Sequence, residues 1–261
     1  MGLAIQLVSL TSPHLNDAYL TIRHTGNIIH QICSHTHRQV SSNLQQVSKI
    51  IMTSSESSKF FTENWTIAIP SHPNLRFIRL IPSRYDHLVR IFSNPLNEPH
   101  NPTPASANWK ESDTFDLRKT YTQRYSSAKT AHNALALLVE EKGKIVGIGL
   151  MHELKYQPGL ANIGTILEEG ARGHGVGKVL MELLLRLSNE LDVDAVEVAT
   201  MKGNSAMRGL MRSLGIGETD EERIKPGNGN RKVEDVMFKD IDRKRWKDFE
   251  FEVEFLGEVD E

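Results

Sequence analysis

The residues most able to do chemistry sit in one stretch, Ala161 to Val179, which reads ANIGTILEEGARGHGVGKV. An apolar, strand-like segment (Ile163, Ile166, Leu167) runs into a turn carrying Gly170, Gly173, Gly175 and Gly177. Beyond it Val176, Val179, Leu180, Leu183, Leu184 and Leu187 recur at the spacing of one helix face. A strand, a glycine turn and a helix N-terminus form an anion cradle. The first N–H groups of the helix have no intrahelical acceptor, the helix dipole is positive there, and glycine lets phosphate oxygens come close. The stretch therefore predicts a site for a phosphate-bearing cofactor.

Spacing separates the cofactors such a turn could serve. The nucleotide loop G-x-x-x-x-G-K-[ST] could end at Gly177-Lys178. Its first glycine would then fall on Arg172, and Val179 stands where the magnesium-binding hydroxyl belongs. The dinucleotide pattern G-x-G-x-x-G fits Gly173 and Gly175 but puts Lys178 at its third glycine, although Glu197 lies about as far on as that motif wants. The pattern R-x-x-G-x-G fits throughout, on Arg172, Gly175 and Gly177. The stretch thus resembles the coenzyme A-binding motif of the GNAT superfamily of acyl-CoA N-acyltransferases. The words IGTILEE and RGHGVGK are similar to the branch of the ribosomal-protein alanine N-acetyltransferases (RimJ/RimL-like).

The resemblance implies transfer of an acetyl group from acetyl-CoA to a primary amine in a ternary complex. It assigns the pyrophosphate to the backbone of Gly173, His174, Gly175, Val176, Gly177 and Lys178, with charge from Arg172 and Lys178. It assigns the pantetheine to the strand end at Thr165, Ile166 and Leu167, and a further cofactor contact to Asn204. An alkylammonium near pKa 10 must lose a proton before it attacks, so a base is needed. Two strand positions where relatives often carry a glutamate hold Ala161 and Ala199 here; Glu168 and Glu197 are the candidates, with Glu221 and Glu222 behind them. Where relatives often place a tyrosine acid, this chain has Met211, which leaves Ser205 or a water to help the thiol depart. No metal is implied.

The elements that must position these residues read as α/β, in the order β-α-α-β-β-β-α-β-α-β of a GNAT fold. About six to seven strands form a mixed central sheet, with about four helices around it. Leu75–Ile81 reads as a strand, and a helix follows with Ser83 and Asp86 spaced as a capping box. A long loop from Pro95 to Asp113 carries His100 and Trp109, the latter either a wall for the acceptor or an anchor onto the core. A helix over about 114–128 precedes a hairpin turned at Glu141-Lys142-Gly143. Asp194–Thr200 reads as a buried strand, Asn204 or Ser205 as the cap of a helix ended by Gly215, and Val233–Ile241 as a strand after a polar loop.

Three segments result: a polar tract 1–65, expected to be disordered; the acetyltransferase domain 66–247; and an acidic tail 248–261 whose alternation FEFEVEF favours one more strand. In the first, His30, Cys33, His35 and His37 do not have the paired thiolate spacing of a structural zinc site, and Met52 could serve as a second start. Over 261 residues, 39% hydrophobic with a net charge of −2, nothing recommends nucleic acid or an anionic membrane as partner. One cysteine argues for a reducing compartment, and no apolar run suits a membrane span. The expectation is a cytoplasmic protein, nuclear entry left open, acting as monomer or homodimer. Its acceptor could be a protein N-terminus, a lysine, a polyamine or a small metabolite. Two other readings keep the cradle: a CoA-binding regulatory module that lost its acid and base, and a dinucleotide-dependent oxidoreductase.

Overall fold

A computed structural model of the chain describes residues 54–97, 108–154, 157–191, 193–219, 222–226 and 232–258. Five α-helices and nine strands are found among them: α1 Ser54–Thr62, β1 Glu63–Ala68, β2 Leu75–Arg79, α2 Tyr85–Phe92, α3 Glu111–Ala131, β3 Ala134–Glu141, β4 Lys144–Leu154, β5 Gln157–Leu167, α4 Val176–Glu190, β6 Ala195–Met201, α5 Ser205–Ser213, β7 Glu222–Pro226, β8 Lys232–Phe238 and β9 Glu252–Glu258. The strands form one mixed sheet in the order β7-β8-β6-β5-β4-β3-β2-β1-β9. The α/β order expected from the sequence is present, with β1, β7 and α1 added to it.

The hairpin β3–β4 turns where expected. Lys142 and Gly143 both take positive φ (51° and 79°), the pair of left-handed residues that matches the strands' own twist. The sheet has two apolar faces. On one, Leu138 and Ile148 pack with Tyr85, Leu88, Ile91 and Tyr121 of α2 and α3. On the other lies α4, whose expected stripe is fully buried. Here Gly149 admits Leu180, since a Cβ would lie 2.8 Å from its Cδ1.

Several boundaries differ from the sequence reading. Residues 54–65 belong to the fold: Phe60, Phe61 and Trp65 are buried, so the domain reaches back at least to Ser54. Serine-rich composition concealed these residues because their burial depends on partners far along the chain. Arg79 of β2, 3% exposed, donates to the carbonyls of Phe61 and Glu63 and so ties the end of α1 to the sheet. The tail does form a strand, β9, paired antiparallel with β1 and shifted three residues from the predicted start. Its glutamates face outward while Val253 and Phe255 are half-buried. No Ser83 cap forms, because Pro82–Arg84 is a 3₁₀ turn and Asp86 instead pairs with Arg118. α3 starts at Glu111, three residues early, where the Asp113 carboxylate accepts the Lys110 N–H at 2.8 Å. The polar loop before β8 contains β7, which pairs with β8 as a hairpin. Residues 1–53 lie outside those described, and with them His30, Cys33, His35 and His37; so does His100.

Candidate functional site

β6 changes partner halfway. Its first residues pair parallel with β5 at Leu160–Ala195, Ala161–Val196 and Asn162–Glu197. From Val198 to Met201 it pairs with β8 instead. β5 continues from Ile163 to Leu167 with β4 as its ladder partner. The two strands thus diverge from a vertex at Asn162 and Glu197 and leave a fork between them. Backbone groups along β5 from Ile163 onward face this opening, where an extended ligand with amide groups can add itself as a strand would.

At the end of β5 the chain makes the glycine turn and enters α4. Gly175 is the N-cap, in left-handed backbone (φ 86°), with no side chain over the first N–H groups. Gly173 is left-handed too (φ 78°), and an added Cβ at either glycine meets nothing within 4 Å. The N-terminal amides of α4 therefore open onto free space, and no acidic residue occupies the first turn. His174 and Lys178 are exposed beside them. Gly177 lies closer in: a Cβ there would touch Leu167 and Leu210, which brings α5 against the mouth of the turn. Bare amides at a helix N-terminus are suited to an anion.

The Arg172 guanidinium binds the end of β5. Its Nε and Nη2 donate to the Leu167 carbonyl at 3.1 and 2.9 Å, and Nη2 also reaches the Leu96 carbonyl at 2.9 Å. It clamps the strand end. Asn204 caps α5, accepting the Met207 N–H at 3.0 Å while its amide donates to Thr200 Oγ1 at 3.0 Å. Ser205 is exposed in the first turn of that helix, and Met211 is wholly buried.

The two candidate carboxylates have different surroundings. Glu168 lies past the end of β5 and pairs with the Arg90 guanidinium, itself held by the Ile145 carbonyl at 2.8 Å. Glu197 is 1% exposed at the vertex of the fork, with a polar partner of its own. Glu222 opens β7, while Glu221 is outside the described residues. Trp109 is half-buried and donates its indole N–H to Thr114 Oγ1 at 2.8 Å, which ties the loop end to the start of α3.

Three features of the site were not read from the sequence. Gly147 on β4 lets the end of β5 come close, since a Cβ there would lie 2.8 Å from the Ile166 carbonyl oxygen. The change of partner by β6 depends on β8, some forty residues away. His152 stands in line with Asn162 and Glu197 across the sheet. A strand glycine is the only signal the sequence offered for any of these.

The chain matches the family model of the acetyltransferase (GNAT) domain over residues 74–216. Among solved structures it is similar to RimL, the ribosomal L7/L12 α-N-protein acetyltransferase, in complex with coenzyme A, at 14% identity and a TM-score of 0.54 over 66% of this chain and 97% of that one. It is likewise similar to the microcin C7 self-immunity acetyltransferase MccE in complex with acetyl-CoA and AMP, at 14% identity and a TM-score of 0.52 over 64% and 92%. An N-acetyltransferase from Staphylococcus aureus Mu50 gives 14% identity and 0.51 over 64% and 97%. At such identities the likeness is one of fold. No curated protein matches in sequence. Among the described residues no helix is long and apolar enough to cross a membrane.

Proposed function

Since the chain belongs to the GNAT acetyltransferase family, we propose that it transfers an acetyl group from acetyl-CoA to a primary amine by direct attack. The observation that carries this reading is the fork: two strands that part at Asn162 and Glu197 and open toward the bare N-terminus of α4. The α4 amides would take the pyrophosphate, the free side of β5 the pantetheine, and the thioester would lie near the vertex. A backbone N–H aimed at the thioester oxygen is worth roughly 3–4 kcal/mol in the transition state. Of the two carboxylates, Glu197 is the better base, because it lies at the vertex, whereas Glu168 lies past the end of β5 against Arg90. A thiol of pKa near 8.5 leaves with modest help, from Ser205 or a water, so the buried Met211 does not bar the reaction.

That methionine favours a second reading, a CoA-binding regulatory module without turnover. Release of CoA, measured with peptides bearing free N-termini, lysine peptides, polyamines and small amines, distinguishes the two. Saturable release with at least one amine is expected. Tight acetyl-CoA binding with no release above hydrolysis across that range would favour the module.

A further inference from the structure

Beneath α3 the helix and the sheet leave a cavity of about 30 Å³, lined among others by Arg79, Tyr85, Tyr121, Arg124, Tyr125 and His152. That is room for one or two waters. Two of the polar atoms there, Tyr125 Oη and His152 Nδ1, are sealed from bulk solvent and have no hydrogen-bond partner in the protein. Buried polar atoms are nearly always satisfied, by protein or by ordered water. One water in reach of both would satisfy a hydroxyl and an imidazole nitrogen, donor and acceptor able to exchange roles.

Position turns this from a packing detail into a candidate for chemistry. The pairs Ala134–His152, His152–Asn162 and Asn162–Glu197 form one row across β3, β4, β5 and β6. Paired residues share a face and stand about 5 Å apart at Cβ. The row therefore sets an imidazole, a carboxamide and a carboxylate side by side under α3, ending at the vertex of the fork. The next rows on the same face are apolar, with Leu138, Ile148, Leu150 and Ile166. A polar line leading to the reaction vertex has no role in packing that leucines would not fill.

Acetyl transfer to an alkylammonium releases two protons from the nitrogen. One must go before attack, to free the lone pair that forms the N–C bond. The other goes as the C–S bond breaks and its electrons leave with sulfur. One proton ends on the thiolate and one in solvent. Glu197 can serve only one of these departures at a time. We infer that His152, bridged through a cavity water to Tyr125, takes the first proton from the incoming amine, and that Glu197 serves the second. This rests on the acetyl-transfer reading and adds a residue to it.

The electrostatics agree. Burial first, and then the charge of Arg124, hold the imidazole below its ordinary 6.5, so it is neutral and able to accept at pH 7. The other titratable and charged groups around its cavity are Arg79 from β2, Tyr85 from α2, and Tyr121 and Tyr125 from α3, while Glu197 of β6 lies two strands away along the row. Burial pushes the Tyr121 phenol up to about 12, so it stays neutral through this range.

The test uses the full chain and two variants, His152→Gln and Tyr125→Phe, with three readouts: acetyl-CoA affinity by calorimetry, the pH profile of kcat/KM for the amine, and the His152 ring titration by NMR. His152→Gln should bind acetyl-CoA within about twofold of the parent, lose about 10²–10⁴ in kcat/KM at pH 7, and lose the acid limb of the profile. Tyr125→Phe should shift the His152 titration and that limb together. A His152→Gln protein with parental rate and profile would overturn the inference. So would an imidazole that titrates at or above 6.5 and ignores Tyr125→Phe. A parent chain that neither binds acetyl-CoA nor acetylates any amine would take down the acetyl-transfer reading itself, and the inference with it; the parent's own calorimetry tells that failure from the others.

Discussion

Two joints in the sheet are built in opposite ways. Between β5 and β6 the strands pair over three residues and then part, and each continues with another neighbour. Between β1 and β9 they pair from Glu63–Glu258 to Ala68–Glu252, with one irregularity, and are backed by buried Phe60 and Trp65. The second joint is reinforced from outside the ladder. Arg79 holds the last carbonyl groups around α1, Phe61 stacks on His132 with ring centroids 4.8 Å apart, and Phe60 meets Phe255 edge to face. The comparison shows what an open joint requires. Backbone groups left unpaired at the fork are tolerable because a ligand can pair with them, whereas at the far edge nothing but the chain itself can. One joint is left open and the other is closed by packing.

The difference can be broken from either side. The largest effect should come from the closed joint. A chain begun at Met52 should melt as the full chain does, whereas one begun at Thr66 loses α1 and half of β1. Two buried phenylalanines and a tryptophan go, at roughly 3–5 kcal/mol for each large aromatic, and Arg79 is left buried without its acceptors. No cooperative melt is expected; an intact one would show that α1 is dispensable. At the open joint, Glu197→Gln keeps the shape and removes the carboxylate that takes the second proton. Its rate should fall by about 10²–10⁴ with acetyl-CoA affinity kept, as read by steady-state kinetics, and a near-normal rate would mean that Glu197 takes no proton in the reaction.

A smaller effect is expected where β4 supports the fork. Gly147→Val sets a branched side chain against the Ile166 carbonyl and Leu167, so it should cost about 1–3 kcal/mol by denaturant melts and loosen the strand end that Arg172 clamps. Unchanged stability would mean the two strands can separate freely. The smallest effect concerns acid. His152 is held below its ordinary pKa in the folded protein, so the unfolded chain binds this proton first as pH falls under 6.5. Its contribution is present above that pH and is lost on the way down to the folded value. The melting temperature should drop less between pH 7 and 5.5 in His152→Gln than in the parent; equal drops would mean that the imidazole is not shielded.

The glycine turn beside the open joint was legible in the sequence and the closed joint was not. Gly173 and Gly175 announce their turn because left-handed backbone is a demand local to a few residues. The stripe from Val176 to Leu187 announces α4 by its period. Asn204 was legible as a cap for the same local reason. Phe60, Phe61 and Trp65 sit in a short serine-rich stretch, and the groups they meet, Arg79, His132 and β9, lie well along the chain. The Glu168 and Glu197 pair shows the limit at the site itself: both are acids near the turn, and it takes the register of three strands to place one at the vertex and the other against Arg90. Arg172 fits its motif, yet its guanidinium serves the Leu167 and Leu96 carbonyls, a geometry the spacing does not encode.

The central claim is that the fork and the α4 N-terminus together hold acetyl-CoA. Calorimetric titration of acetyl-CoA into the full chain and into Gly175→Val tests it most directly. Valine at φ 86° is strained and puts a branched side chain where the cradle is now open. The account predicts saturable one-site binding to the parent, and none to a variant that still melts cooperatively. Equal affinity in the two proteins, or no binding to the parent, would contradict it.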